Sequence, residues 1–599
     1  MPEPHNHVSP DDEYRRRIER WSAALAEGVR RHLLVSNLRL AVFAGAALVA
    51  WLATFGNRIG VGWLYLPAAA FLALIVAHAR ILNRNERAER ARRLYERGMR
   101  RLTGRWQGEG ADGSQLLTDH PFARDLDLVG QASLFQFLNT ARTEAGEAAL
   151  AEWLAAPAEP REIVARQQAV AELAPRIDLR EDLAVLAAEA HVGRTSALTA
   201  WAAAAPAGLP AASRWVLGGS AAVTAALLAA GFAGLIPTAL ATVWLAVQVS
   251  LVLLWRRQIA TVLHRLDLPL HDLGLVTELL VRLEREPFES PRLAALHQAL
   301  VADGELPSAI IARLQRYVSA VDSTHNLLFA PLAAVLLVRS QAAAAIDRWH
   351  AAHGRSLSVW LKAVGELEAL ASLATFAYEH PADPFPEVRP GTPLFEAAGL
   401  AHPLLVEGHA VANDVRLGGE APHVLVVSGS NMSGKSTLLR AVGVNVTLAL
   451  AGAPVRARSL VLSPLALGAT LRVDDSLQEG HSRFYAEILR IRDIVIRARG
   501  SMPMLFLLDE ILHGTNSHDR RIGAEAIVRS LVDAGAIGLV TTHDLALTEF
   551  VSQLGGRAAN VHFEDRIESG RMVFDYTMRP GVVERSNALA LMRAVGLDV

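Results

Sequence analysis

Three short segments in the last third of the chain carry residues able to act on a triphosphate. The run Gly429-Ser-Asn-Met-Ser-Gly434-Lys435-Ser436 fits G-x-x-x-x-G-K-[ST] without mismatch. Glycines at its ends let the backbone fold so that successive N–H groups converge on phosphate. A helix opening at Lys435 would aim its positive end at the same oxygens. Lys435 would neutralise the β- and γ-phosphates, and Ser436 would hold Mg²⁺. The expected nucleotide-binding set is Ser428, Gly429, Ser430, Asn431, Met432, Ser433, Gly434, Lys435, Ser436 and Thr437. About 70 residues on, Met504–Leu508 leads into Asp509-Glu510. Asp509 is placed for Mg²⁺ and Glu510 as general base on the attacking water. A third run ends at Thr541-Thr542-His543-Asp544, where His543 could contact the γ-phosphate or that water.

These segments need a sheet to bring them together. His423–Val427, Met504–Leu508 and Ile537–Thr541 read as buried parallel strands, because they are continuous apolar runs without alternation. Helical stretches lie between them, so the region from about 395 reads as an α/β domain. Acids at the ends of such strands sit where ligands bind in open α/β sheets. Between the P-loop and Asp509 lies Asp474-Asp475 through Ser482. Ser482 suits the N-cap of a helix over Arg483–Arg499. It is either only a cap, or it faces the γ-phosphate bound by another subunit.

Upstream, residues 117–205 and 260–380 read as helical and soluble, exemplified by Leu357–Tyr378. Pro381, Pro384, Pro386 and Pro390 then mark a linker. Four apolar runs interrupt the first half: Leu40–Phe55 with Val61–Ala77, and Trp215–Ile236 with Thr238–Trp255. None holds Asp, Glu, Lys or Arg. Each is near the length needed to cross a bilayer. Arg30, Arg31 and Arg39 precede the first pair. Ten arginines against three glutamates follow it between Arg80 and Arg105, and Arg256 and Arg257 follow the second pair. Positive outer flanks predict two hairpins returning to the cytoplasm, hence a multi-pass protein of the inner (cytoplasmic) membrane with four spans. The shorter run Leu327–Val338, interrupted by Pro331, reads as a core helix.

Composition narrows the classes. Half of the 599 residues are hydrophobic and the net charge is −2, so no global basic field advertises a polyanion. The chain has no cysteine, which excludes disulfides, zinc ribbons and thiol chemistry. Its only lysines are Lys362 and Lys435, which makes the second conspicuous in a chain that otherwise uses arginine.

The residues then resemble the MutS family of DNA mismatch repair ATPases. Ser-Asn-Met-Ser-Gly-Lys-Ser-Thr at 430–437 is similar to that family's P-loop, and Asp509-Glu510-Ile511 with Gly514-Thr515 to its acidic segment. Thr542-His543 looks like its switch histidine, and Asp474-Asp475 through Ser482 and Phe484 like its signature loop. His402-Pro403 and Ala412-Asn413-Asp414 fit its lead-in to the ATPase domain. Ser586 to Leu597 resembles its dimerisation helices. Leu134–Leu138, Thr140, Arg142, Thr143, Gly146, Trp153-Leu154, Pro157, Ile163 and Arg166–Val170 resemble the start of its helical core.

The resemblance implies an α/β P-loop NTPase domain of the ABC/MutS type at the C-terminus. An all-α core with two transmembrane helical hairpins precedes it. The expected domains are 1–115, a charged arm with a hairpin at about 38–56 and 60–79; 116–210, the first part of the core; 211–258, the second hairpin; 259–390, the rest of the core; and 391–599, the ATPase domain. ATP and Mg²⁺ as cofactors, a homodimer through the ATPase domain, and DNA as a partner are implied with it. The departures are an N-terminal arm and hairpin in place of a mismatch-recognition domain, and Asn516-Ser517-His518 in the loop after the acids. Ala410-Val411 also stands where the family places an adenine-stacking aromatic. A transporter-type ATPase driving its own spans, or a nucleotide-gated scaffold for a protein partner, are the competing functions. The Leu-Ser-Gly-Gly-Gln signature of transporter ATPases is missing, and Glu510 speaks for hydrolysis over a scaffold.

Overall fold

The computed structural model describes residues 9–55, 60–189, 195–266, 273–301, 304–326, 329–406, 408–430, 432–472, 483–512, 515–543, 545–568 and 571–583. The chain divides into two compact units. Met1–Trp106 with Glu181–Glu189 form one, and Gln107–Arg180 with Ala190–Val599 form the other.

In the first unit the charged arm and the first apolar run make one helix, α1 (Pro10–Thr54), antiparallel to α2 (Tyr65–Leu102). The sequence separates arm from run. The helix joins them because i,i+4 pairs such as Arg15–Asp11 and Arg31–Glu27 support its polar half. Near its open end, Tyr14 packs on Tyr95 at 5.3 Å between ring centres. Glu181 accepts from Arg17 at 3.0 Å and from the Tyr95 hydroxyl at 2.5 Å. The apolar halves are bare: Leu40, Phe43 and Trp51 on α1 and Leu66 and Leu72 on α2 are all more than half exposed.

The second unit begins with α3 (Leu134–Leu138), α4 (Glu144–Ala155), α5 (Pro160–Leu173) and the first residues of α6 (Ile177–Glu189). After α7 (Thr195–Ala203) come the apolar helices α8 (Ser213–Phe232) and α9 (Thr238–Leu254), followed by α10 (Arg256–Leu266). Helices α11 (Leu273–Glu284), α12 (Pro291–Val301), α13 (Pro307–Ser323) and α14 (Ala330–Val335) lead to α15 (Val338–Glu379), against which α4, α5, α7, α8, α10, α12 and α13 pack. Between α8 and α9, Thr224 donates to Gln248 Oε1 at 3.1 Å. The Gln248 amide in turn donates to the Val335 carbonyl at 3.0 Å.

One expectation is corrected here, and a second is met in part. The run Leu327–Val338 is not one core helix. The described part forms the single short turn of α14, with Leu332 half exposed, and Leu337 at φ +52° breaks it from α15. Four spans were expected. Among the described residues three helices, α1, α2 and α8, are long and apolar enough to cross a membrane. The fourth run forms α9, from which α10 turns away by 64°; counted as one broken span, that pair makes the fourth.

The α/β domain holds two sheets. A smaller one runs β1 (Glu387–Val388), β5 (Ser459–Leu462), β2 (Leu394–Leu400), β3 (Asn413–Gly418), so the proline-rich linker itself contributes an edge strand. The larger has the order β10 (Arg571–Pro580), β9 (Ala558–Glu568), β4 (Val424–Ser428), β8 (Ile537–Thr542), β7 (Met504–Leu508), β6 (Ala466–Thr470). It is parallel from β9 to β6, with β10 antiparallel at one edge. β4, β7 and β8 are buried at every residue, as expected for strands covered by helices on both faces. Those helices include α16 (Lys435–Ala451), α17 (Arg483–Ala498), α18 (Ser517–Asp533) and α19 (Leu545–Phe550).

Candidate active site

The site is assembled from the ends of β4, β7 and β8. β4 delivers the chain into a turn with Gly429 at φ +149°, Met432 at +67° and Gly434 at +106°. A Cβ on Gly429 would lie 3.0 Å from the Phe563 carbonyl oxygen, and one on Gly434 would lie 3.1 Å from the Tyr576 ring. Conformation and space both call for glycine at the two positions the motif specifies. Lys435 then opens α16. Its buried ammonium donates to the carbonyls of Gly429 at 2.9 Å and Ser430 at 2.8 Å. Burial lowers its pKa, and the carboxylates of Glu510 and Asp509 oppose that shift.

β7 ends in the acid pair. The Asp509 amide donates to the Thr470 carbonyl at 3.0 Å, and the Asp509 carboxylate accepts from the Thr541 hydroxyl at 2.5 Å. Glu510 adopts φ +47°. Its N–H donates back to the same hydroxyl at 2.9 Å. One Glu510 carboxylate oxygen lies 4.0 Å from the Lys435 ammonium and contacts His543 Nε2. Leu512, at φ +60°, donates its amide to buried Glu487 of α17 at 2.6 Å. Lys435, Asp509, Glu510 and His543, taken from three distant segments, thus meet in one place.

Beside them opens a cavity of about 530 Å³ lined by Met432, Gly434, Lys435, Ser436, Thr437 and Glu510 on one side and by His402, Val411, Asn413 and Tyr576 on the other. Tyr576 sits in an irregularity of the β9–β10 ladder between Phe574 and Met578, at φ +53°. Asn413 clamps that bulge: its amide donates to the Tyr576 carbonyl at 3.0 Å and its oxygen accepts from the Met578 amide at 2.7 Å. Burial and the nearby Arg440 push the His402 pKa down to about 4, so the imidazole is neutral near pH 7.

Residues 425–598 match the family model for MutS domain V. The C-terminal part of the chain thus carries a MutS domain V. It is similar to the DNA mismatch repair protein MSH3 of Phaeosphaeria nodorum, at 34% identity over 251 residues, 41% of this chain and 22% of that protein. It is also similar to the DNA mismatch repair protein MutS of Methanosarcina mazei, at 31% over 253 residues, covering 41% and 28%. The endonuclease MutS2 of Thermus thermophilus matches at 33% over 205 residues, covering 34% and 26%. The chain therefore spans less than a third of the length of each of these relatives. MutS domain V is a P-loop ATPase-type domain, and here it closes a chain whose earlier part is helical.

Within that domain V, Ser436 and Thr437 line the cavity with Lys435. Ser428 is buried, and its hydroxyl is directed 3.4 Å from the Val561 carbonyl within the sheet. The hydroxyls of Ser430 and Ser433 are buried without a hydrogen-bond partner among the described residues. Such orphaned groups call for an external acceptor, and phosphate oxygens suit them. Asn431, Asp474, Asp475, Ser482, Gly514, Asp544 and the segment 586–597 lie outside the described residues.

Thr541, Glu487 and Tyr576 escaped the sequence reasoning. The first carried a visible signal, since a threonine at the end of a buried strand two residues before His543 faces the acid pair on the neighbouring strand. Ala410 and Val411 line the cavity, and Tyr576 of β10 adds an aromatic ring to the same lining.

Proposed function

We propose that this protein binds and hydrolyses ATP with Mg²⁺, as a membrane-anchored, dimeric MutS-like ATPase. The observation that carries the reading is the convergence of Lys435, Glu510 and His543 at the mouth of a glycine-turned phosphate cradle. The P-loop amides and Lys435 bind the phosphates and withdraw charge from them. Ser436 and Asp509 are the side chains that would hold Mg²⁺, which neutralises charge on the phosphate oxygens when bound. Glu510 takes the proton from the attacking water. His543, against the same carboxylate, holds it in orientation. Tyr576 offers its face to the base.

Membrane anchoring is supported by the bare apolar surface of α1, α2 and α8, where Phe43, Leu66, Trp215 and Phe232 are each more than half exposed. Patches of that extent mark membrane or partner contact. The anchored chain is assigned to the inner membrane, with domain V in the cytoplasm. Dimerisation through domain V rests on the family resemblance, and engagement of DNA on relatives of which two are named for DNA mismatch repair.

The test is steady-state ATPase at fixed salt, with and without homoduplex, mismatched and branched DNA. Lys435→Ala is expected to abolish ATP binding. Glu510→Gln is expected to retain binding and lose turnover. A Glu510→Gln protein that hydrolyses at the parent rate would leave a nucleotide-gated scaffold as the better account. No stimulation by any DNA would move the partner to a protein.

A further inference from the structure

Asp125 lies outside every motif of the nucleotide site, yet it is 1% exposed and fully committed to domain V. One of its carboxylate oxygens accepts from the amides of both Leu471 and Arg472, each at 2.7 Å. These residues follow directly on Thr470, whose carbonyl holds the amide of Asp509. The other oxygen faces Arg490 of α17 at 3.4 Å, and that guanidinium also donates to the Arg472 carbonyl at 2.8 Å. Three residues before Arg490, on the same helix face, Glu487 holds the amide of Leu512 just past Glu510.

The neighbours of Asp125 extend the grip. Asp127, at φ +50°, pairs with Arg472 at 2.8 Å and with Arg440 of the P-loop helix α16 at 3.7 Å. Arg440 also donates to the Asp125 carbonyl at 3.3 Å. Leu126, fully buried between the two acids, reaches α16 where Gly443 leaves room: a Cβ there would lie 2.5 Å from Leu126 and 2.8 Å from Leu507. On its far side the same loop is tied to the helical core. Leu134 and Phe135 of α3 donate to the carbonyls of Asp127 and Leu128 at 2.8 and 2.9 Å. Next along the chain, Thr140 bonds Ser372 of α15.

We propose that Asp125-Leu126-Asp127 is the latch that couples the nucleotide site to the helical core, with Asp125 as a positioning residue for the acid pair. The proposal rests on the ATPase reading above. Three parts of the site meet this one loop: α16 with Lys435, α17 with Glu487, and the segment just after β6, whose Thr470 holds the amide of Asp509. A shift of any of them on nucleotide binding must either move α3 or break a buried carboxylate from its donors. Breaking such a pair is far costlier than moving with it.

The test uses the full chain with Asp125→Ala, which removes both oxygens, and Asp125→Asn, which keeps an acceptor for the two amides but drops the charge facing Arg490. The first readout is kcat and KM for ATP. The second is hydrogen exchange of residues 134–155, with and without ATP, in a Glu510→Gln background. The latch predicts that Asp125→Ala lowers kcat about tenfold with KM within about twofold, and that Asp125→Asn recovers part of the loss. It also predicts that the ATP-dependent change in exchange at 134–155 disappears in Asp125→Ala. A kcat within twofold of the parent, or an exchange response that survives, overturns it and leaves Asp125 as domain glue. Should Asp125→Ala not fold, Asp125→Asn and Arg490→Met are read by the same two measurements. A parent protein that binds no ATP overturns the ATPase reading itself. A parent that turns over while the variants match it overturns the latch alone.

Discussion

Thr541 gives the sharpest test of how the acid pair is held. Its hydroxyl donates to the Asp509 carboxylate and accepts from the Glu510 backbone amide, so one oxygen holds the side chain of the first acid and the backbone of the second. Glu510 has φ +47°, a conformation that costs a non-glycine residue about 1–2 kcal/mol and persists only where the surroundings fix it. Thr541→Val keeps the shape of a side chain that is 1% exposed but deletes the hydroxyl. The Glu510 amide then lacks its acceptor, at a cost of about 1–3 kcal/mol for a buried N–H. If that cost falls on aligning Glu510 with the attacking water, kcat drops about 5- to 150-fold, at about 1.4 kcal/mol per decade. KM is set by the P-loop and the cavity, so it stays near the parent value. Thr541→Ser, which restores the oxygen, recovers most of the rate. The assay is steady-state hydrolysis of ATP, with thermal unfolding run alongside to confirm that each variant is folded. A Thr541→Val protein within twofold of the parent, or a Thr541→Ser protein as slow as Thr541→Val, would refute the reasoning.

Three further outcomes are expected. Tyr576→Ala should raise KM for ATP about 5- to 150-fold, the range for losing one base–aromatic stack, with kcat little changed; an unchanged KM removes Tyr576 from base contact. Burial pushes Glu368 of α15 up to about 7 from its ordinary 4.5, so the folded state holds that proton more tightly than the unfolded chain. Its contribution to stability is present in full below about pH 4.5 and is lost as pH rises through about 7. Denaturant unfolding of parent and Glu368→Gln should therefore diverge by up to about 3 kcal/mol between pH 8 and pH 5, in favour of the parent at the acid end, whereas an equal difference at both pH values contradicts it. Finally, the full chain should sediment with membranes, resist extraction by high salt and be released by detergent; a protein soluble without detergent removes the spans.

Much of domain V is legible in sequence for a physical reason. Strands covered on both faces have no solvent side, so β4, β7 and β8 read as uninterrupted apolar runs. The two glycines of the P-loop mark backbone that only glycine tolerates. What stayed hidden depends on distant partners. Tyr576 enters the cavity because a bulge is clamped by Asn413, 163 residues earlier, and nothing local marks it as a site residue. Asp125 stands in an ordinary loop until its partners at Leu471 and Arg472 are known, 346 and 347 residues away. Leu327–Val338 misled because apolar composition does not reveal where a helix breaks, and the break comes at Leu337 rather than at the proline.

The length of α15 shows why such distant pairings matter. Its 42 residues make a rod of about 63 Å. In its first half, Asp347 accepts from the amides of Ala207 and Leu209 and Arg348 donates to the Ala211 carbonyl, which fixes the chain just before apolar α8. In its second half, Glu368 accepts from the amide of Arg142 and the hydroxyl of Thr143 at the start of α4, and α4 in turn packs on α16. The carboxylate attachments of Asp347 and Glu368 are buried or half-buried polar contacts, which break at high cost and so transmit displacement rather than absorb it. A single helix thus joins the foot of the apolar hairpin to the neighbours of the P-loop helix. The cost of bending an uninterrupted α-helix makes independent motion at its two ends unfavourable.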